Sequence, residues 1–219
     1  MGIIERRSLR DEVLEKVKGY IIAGKYLPGQ RIVVDSLAKE LGVSITPVRE
    51  ALHYLAAQGF LSAEPHKGFL VKKWTRKEIE DLLSLRMYLE KLAVRLFIER
   101  GYEDNLELLR EKLKEMDIAS QEKDVERMSQ LNSEFHAIIV KGSGNEELKR
   151  VMDSLSEKLH RVRVLSISYP GRFRESYKEH LSIYEAIEKK DIPLAEKRVE
   201  EHLSSIMRIL LKRYEEGLI

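Results

Sequence analysis

The hydrophobic period of this chain changes at Thr75. From there to the C-terminus the apolar residues recur at intervals of three and four, and no alternating, strand-like run competes with them. The pattern predicts an all-α bundle of about six helices. The first runs to about Arg100, with Ile79, Leu82, Leu83, Leu89, Leu92 and Leu96 inward, and Thr75 with Glu78 forms a T-x-x-E capping box at its start. The second carries Leu106, Leu109, Leu113 and Met116, and the third runs from about Asp124 to Val140. The fourth spans Leu148 to about Leu165, with Val151, Leu155, Leu159 and Val162 inward. Pro170-Gly171 ends it, and two more run from about Glu175 to Lys190 and from Pro193 to about Glu216.

Residues before Thr75 follow another plan. Leu9, Val13, Val17, Tyr20 and Ile21 share one helical face, which Gly24 and Pro28-Gly29 end. A short helix follows, with Asp35 and Ser36 near its start, Leu37, Ala38 and Leu41 inward, and Gly42 just past its end. After the turn GVS a third helix begins. Ser44 or Thr46 can cap it, and Pro47 suits its first turn. Its apolar stripe is Val48, Leu52 and Leu55; the opposite stripe carries Ile45, Arg49 and His53. Two short helices joined by a glycine-containing turn are the pattern of a helix-turn-helix, whose second helix offers its first residues to the DNA major groove. Here those are Ser44, Ile45, Thr46 and Arg49: hydroxyls for phosphate and a guanidinium for guanine or phosphate. Residues 61–73 (LSAEPHKGFLVKK) then read as a hairpin with His66 and Lys67 at its tip, completing a winged helix that lays a basic wing on backbone or minor groove.

Charge follows the same division. The stretch 1–74 holds twelve Lys and Arg against eight Asp and Glu, net +4, so the remainder carries −2 of the whole-chain +2. With 43% hydrophobic residues among 219, there is enough apolar mass for packed cores. No apolar run approaches the roughly 18 residues of a membrane helix. The absence of cysteine excludes disulfides, thiol catalysis and Cys-ligated zinc. The opening MGIIERRSLRDE is charged within five residues and is not a secretory signal, so the cytoplasm is the expected compartment.

Three histidines fall on apolar helix faces. His136 lies one turn past Asn132 and beside Phe135; His180 stands between Tyr177 and Tyr184; His202 stands between Val199 and Ile206. One buried histidine is ordinarily satisfied by a core partner. Three on three helices are costly unless they share one, and a divalent metal is the economical choice, with the Asn132 carbonyl oxygen as a fourth ligand. An enzyme would use such a metal to activate water. However, the paired Glu-x-x-His motifs of di-iron bundles are missing, and no second carboxylate base is evident beside the cluster.

Two resemblances sharpen these readings. Residues 27–69, with LPG-R, LA-LGVS, TPVREAL and the G-F-L wing entry, resemble the winged-helix domain of GntR-family bacterial transcription regulators. The resemblance implies DNA contacts at Ser44, Thr46, Arg49 and Gly68, but puts Ile45 where the family usually has Arg. The stretches DLLSLRMYLEKLAVRL, NSEFHAIIVKGSGNEEL, EHLSIYEAIEKKD and AEKRVEEHL resemble the FCD ligand-binding domain of the FadR branch, in its six-helix VanR-like subgroup. That likeness implies a divalent ion, zinc or nickel, on Asn132, His136, His180 and His202, with Asn132 in place of the more usual Asp. It also implies a small organic acid as effector, with Arg86 as its complementary cation, although Arg86 can instead pair with Glu90 one turn on. The expected molecule is thus mainly α, with a DNA-binding domain at 1–74 and a metal- and effector-binding domain at 75–219. It is expected to be a cytoplasmic homodimeric regulator, repressor or activator, of a double-stranded operator and not an enzyme. A purely structural metal and a metal-dependent hydrolase are the alternatives.

Overall fold

The structure, a computed structural model, describes residues 8–64, 68–100 and 102–219. It divides into two compact units: the chain through Trp74 together with Arg213–Ile219, and Thr75–Lys212. The sequence reading gives 213–219 to the rear domain. In the structure these residues complete the front one, with Arg213 donating to the Ile22 carbonyl at 2.7 Å and Ile219 buried.

In the front unit α1 (Leu9–Ile22) opens with a Ser8–Asp11 capping box and buries Val13, Val17 and Ile21. A two-residue strand β1 (Arg31–Ile32) leads into α2 (Val34–Leu41), and three residues later α3 (Ile45–Ala57) begins. The N-cap of α2 is Val33, with Asp35 in its first turn, and its end is the left-handed Gly42 (φ 67°). Strands β2 (Leu61–Glu64) and β3 (Gly68–Val71) pair antiparallel, with Glu64 opposite Gly68, and β1 adds to the far edge of β3. Val48, Leu52, Leu55, Ile32, Phe60 and Phe69 close one core beneath helices and sheet. Burying such side chains at about 25 cal/mol per Å² is what holds the short elements in place.

The rear unit is all helical: α4 (Arg76–Arg100), α5 (Tyr102–Glu122), α6 (Val125–Gly142), α7 (Glu146–Ser154), α8 (Ser156–Ile167), α9 (Arg172–Glu188) and α10 (Ile192–Glu215). The Thr75 box forms: Thr75 donates from N and Oγ to Glu78, and the Glu78 N–H donates back. Asp124 and Asn145 cap α6 and α7. Seven helices appear among the described residues where the periodicity predicts six. The stretch expected to be one helix from Leu148 breaks at Leu155, whose N–H bonds Met152 three residues back, while Ser154 Oγ bonds the Val151 carbonyl. Val151, expected inward, is exposed.

Helix α4 departs from expectation more instructively. Leu92 is exposed together with Leu85 and Tyr88, while Arg86 and Glu90 are buried. A salt bridge takes core positions that apolar residues would fill more cheaply. The reason lies in what Glu90 touches.

Candidate functional site

His136 on α6, His180 on α9 and His202 on α10 meet inside the rear unit. One ring nitrogen from each lies within 4.8 Å of the others, and all three rings are buried. Each Nδ1 faces an acceptor, through a hydrogen bond for His180 and His202 and by close approach for His136. That of His136 stands 3.0 Å from a Glu90 carboxylate oxygen. That of His180 is 2.7 Å from the Ser176 carbonyl, and that of His202 is 2.7 Å from Glu179. Carboxylates and carbonyls only accept, so these partners hold the proton on Nδ1 and leave every Nε2 as a bare lone pair.

The carboxylates are themselves held. Arg86 donates from Nε to Glu90 at 2.6 Å. Arg172, fully buried, donates from both terminal nitrogens to Glu179, at 2.6 and 2.5 Å. Two Arg–Glu–His relays therefore converge from different sides. Burial disfavours ionised Glu90, but Arg86, His136 and His202 together outweigh it and hold the carboxyl far below its usual range. Burial likewise opposes ionisation of Glu179, yet hydrogen bonds from His202 and Arg172 bring it down to about 2. Burial pushes His136 down to about 4 and His180 and His202 below their ordinary values, so the imidazoles are neutral at pH 7.

Neutral rings with their free nitrogens turned on one another repel. The Nε2 atoms of His136 and His180 stand 3.2 Å apart, and that of His202 is buried with no hydrogen-bond partner. Two nitrogens bound tetrahedrally to zinc at about 2.0–2.1 Å stand about 3.3 Å apart. The donor set, its outer partners and the orphaned nitrogen fit a divalent cation. Asn132 is buried one turn before His136 and donates its amide to Ser176 Oγ at 3.2 Å, on the same residue whose carbonyl orients His180.

The expectation that no second carboxylate lies beside the cluster is wrong: Glu90 and Glu179 both do. Each is committed to an imidazole N–H and an arginine, so neither is free to act as a base. Glu179 was invisible in this role because it sits one residue from His180 in sequence and serves His202 on another helix.

A cavity of about 200 Å³ opens beside the cluster, lined by Glu90, His136, Lys141, Lys149, Met152 and Arg163 among others. Arg86 is not in this lining; its Nε is taken by Glu90, and its terminal nitrogens are buried without hydrogen-bond partners. Arg163 does line it. Its Nε is buried and unpaired, and burial, with repulsion from Arg86, brings its pKa down to about 9. An arginine on α8 is thus placed where the sequence offered one on α4.

In the front unit Ser44, Thr46 and Arg49 are exposed at the start of α3. Ser44 is the N-cap, but its hydroxyl makes no capping bond, and no acidic side chain occupies the first turn. The positive end of the helix is left uncompensated, as an anion site requires. Gly68 opens β3 at φ 77°, a left-handed conformation that suits glycine. A Cβ there would stand 3.8 Å from the Arg31 guanidinium, which brings another cation to the wing. The tip residues His66 and Lys67 lie outside the described residues.

Residues 9–71 match the gntR family of bacterial regulatory proteins, and residues 81–205 match the FCD domain. The chain is 33% identical over 204 residues to the uncharacterized HTH-type transcriptional regulator YdhC of Bacillus subtilis, covering 92% of this chain and 91% of that one. It is 39% identical over 158 residues to the Nta operon transcriptional regulator of Aminobacter aminovorans, covering 72% and 73%. The structure of E. coli McbR/YncC superposes with a TM-score of 0.64 at 27% identity, over 95% of this chain and all of that one (100%).

Proposed function

Because the chain belongs to the GntR family of bacterial regulatory proteins and carries an FCD domain, we propose that it is a metal-dependent metabolite sensor acting on an operator. That it is a DNA-binding transcriptional regulator, and not an enzyme, follows from its family. Two copies bind a pseudo-palindromic double-stranded operator, each with α3 in the major groove through Ser44, Thr46 and Arg49, and with His66, Lys67 and Gly68 on the wing. The exposed stripe Leu85, Tyr88 and Leu92 on α4 supplies apolar surface for a homodimer contact. No described helix is long and apolar enough to cross a membrane; operator binding makes the cytoplasm the place of work.

In the rear unit Asn132, His136, His180 and His202 hold zinc or nickel, which suit neutral imidazoles. The bound ion supplies a Lewis-acid position for one carboxylate oxygen. The cavity beside His136 takes the rest of a small organic acid, and Arg163 takes over the role expected of Arg86. Its size, below the roughly 300–1,000 Å³ usual for small-molecule sites, favours a metabolite of few carbons. Such a ligand changes operator affinity only by binding one conformation of the regulator better than another.

The observation that carries this reading is the convergence of three Nε2 lone pairs whose Nδ1 protons are locked from outside. A thermal-shift comparison of metal-loaded and chelator-stripped full-length protein against a panel of small carboxylic acids tests it. Metal should raise the melting temperature, and an acid should raise it further only in loaded protein. A metal shift with no acid response would reduce the ion to a structural role, and equal acid responses in both forms would contradict the shared site.

A further inference from the structure

Ile45 is the first residue of α3, and 44% of it is exposed. The core under this helix is complete without it: Val48, Leu52 and Leu55 are fully buried. A β-branched residue is not favoured for the helix itself. Single exposed apolar residues are common, so exposure alone says little; position says more. Ile45 shares an open cleft with Thr46, Arg49, Glu50 and His53, on the face whose first residues meet base edges. Arg49 and Glu50 are charged, and the His53 ring is engaged edge-to-face with Phe69, centroids 4.9 Å apart. Among the described residues, Ile45 is the one large apolar side chain lining this cleft. Among the four bases, the major groove offers one apolar group, the thymine C5-methyl.

We propose that Ile45 reads that methyl group, so that each operator half-site carries a thymine opposite the start of α3, where a cationic residue would select guanine. This rests on α3 being the recognition helix, and the test separates the two claims. An operator is first selected with the full-length protein from a random-sequence duplex pool. Each thymine is then replaced by deoxyuridine, which removes the methyl and keeps the pairing edge. One thymine per half-site should prove sensitive, its replacement weakening binding about fourfold, or about fifteenfold when both half-sites are changed, at about 0.8 kcal/mol per buried methyl.

In Ile45→Ala, an exposed position where folding is not at stake, that thymine-to-uracil ratio should fall to about one while other thymines behave as before. Reselection with Ile45→Arg should move the preference at that base pair toward guanine. Wild-type protein indifferent to every replacement would overturn the proposal, as would a ratio that survives in Ile45→Ala. If Arg49→Ala weakens binding to all duplexes while deoxyuridine has no effect, α3 stays the recognition helix and the role of Ile45 falls. If Arg49→Ala binds as wild type, both fall.

Discussion

Helix α3 in the front unit buries Val48, Leu52 and Leu55 and leaves Ile45, Thr46 and Arg49 outside. Helices α6, α9 and α10 in the rear unit do the opposite with their polar residues, burying Asn132, His136, His180 and His202. Water satisfies the exposed groups of α3, so that face needs no internal partners. The buried rings have no water to fall back on. Each needs an acceptor for its proton, each carboxylate among those acceptors needs a cation, and the relays Arg86–Glu90–His136 and Arg172–Glu179–His202 are the result. A surface reader is specified by a handful of residues in one segment. A buried imidazole cluster must be specified by residues from four helices at once.

The largest separation between the two regions should come from Glu179→Gln. Removing the charge behind His202 should lower metal affinity about 10–100-fold, as loss of an outer partner does. It should also destabilise the metal-free protein, because Arg172 stays buried with only the exposed Glu175, 3.8 Å away, as counter-charge. Competition against a chelating dye measures the first effect and thermal unfolding the second; operator contacts in the front unit are untouched by design. Unchanged metal affinity would break the second relay.

Arg49→Ala is the reciprocal change. It should weaken operator binding by about 1–3 kcal/mol and flatten its salt dependence, with metal affinity as in wild type. Mobility shifts at several salt concentrations read both. Operator affinity equal to wild type would remove α3 from the groove.

The smallest effect is one of pH, confined to the rear unit in its metal-free form. His136 titrates at about 4 when folded against 6.5 ordinarily, and His180 and His202 are lowered too. Between those values the unfolded chain binds more protons than the folded one, so stability falls as pH falls through 6.5 toward 4. From pH 7 to pH 6 each neutral-held histidine should cost about 0.7 kcal/mol, read by chemical denaturation. Metal should suppress the loss by competing with the protons.

The difference between the regions also sets what could be read from residues alone. The GVS turn, the stripe Ile45–Arg49–His53 and the Thr75 capping box are local, and the helix-turn-helix and the first bundle helix were legible from them. The three histidines were legible because each lies on an apolar face of its own helix. Their partners were not. Glu90 read as the ion-pair mate of Arg86, which it is, but Leu92 read as core, because periodicity does not see that α4 turns the charged pair inward to meet His136. Nothing in the pattern of its helix sets Arg163 apart; the cavity does. The assignment of 213–219 to the rear domain failed because α10 runs on past Lys212 without any break in its pattern, while Arg213 and Ile219 pack against the front.

The central claim is that three imidazoles with locked Nδ1 protons bind one divalent ion. Elemental analysis of chelator-stripped, zinc-reloaded and desalted full-length protein tests it most directly, beside His180→Ala treated identically. The account predicts one zinc per wild-type chain and a large loss in the variant. Wild-type protein that retains none, or a variant that retains as much, would contradict it.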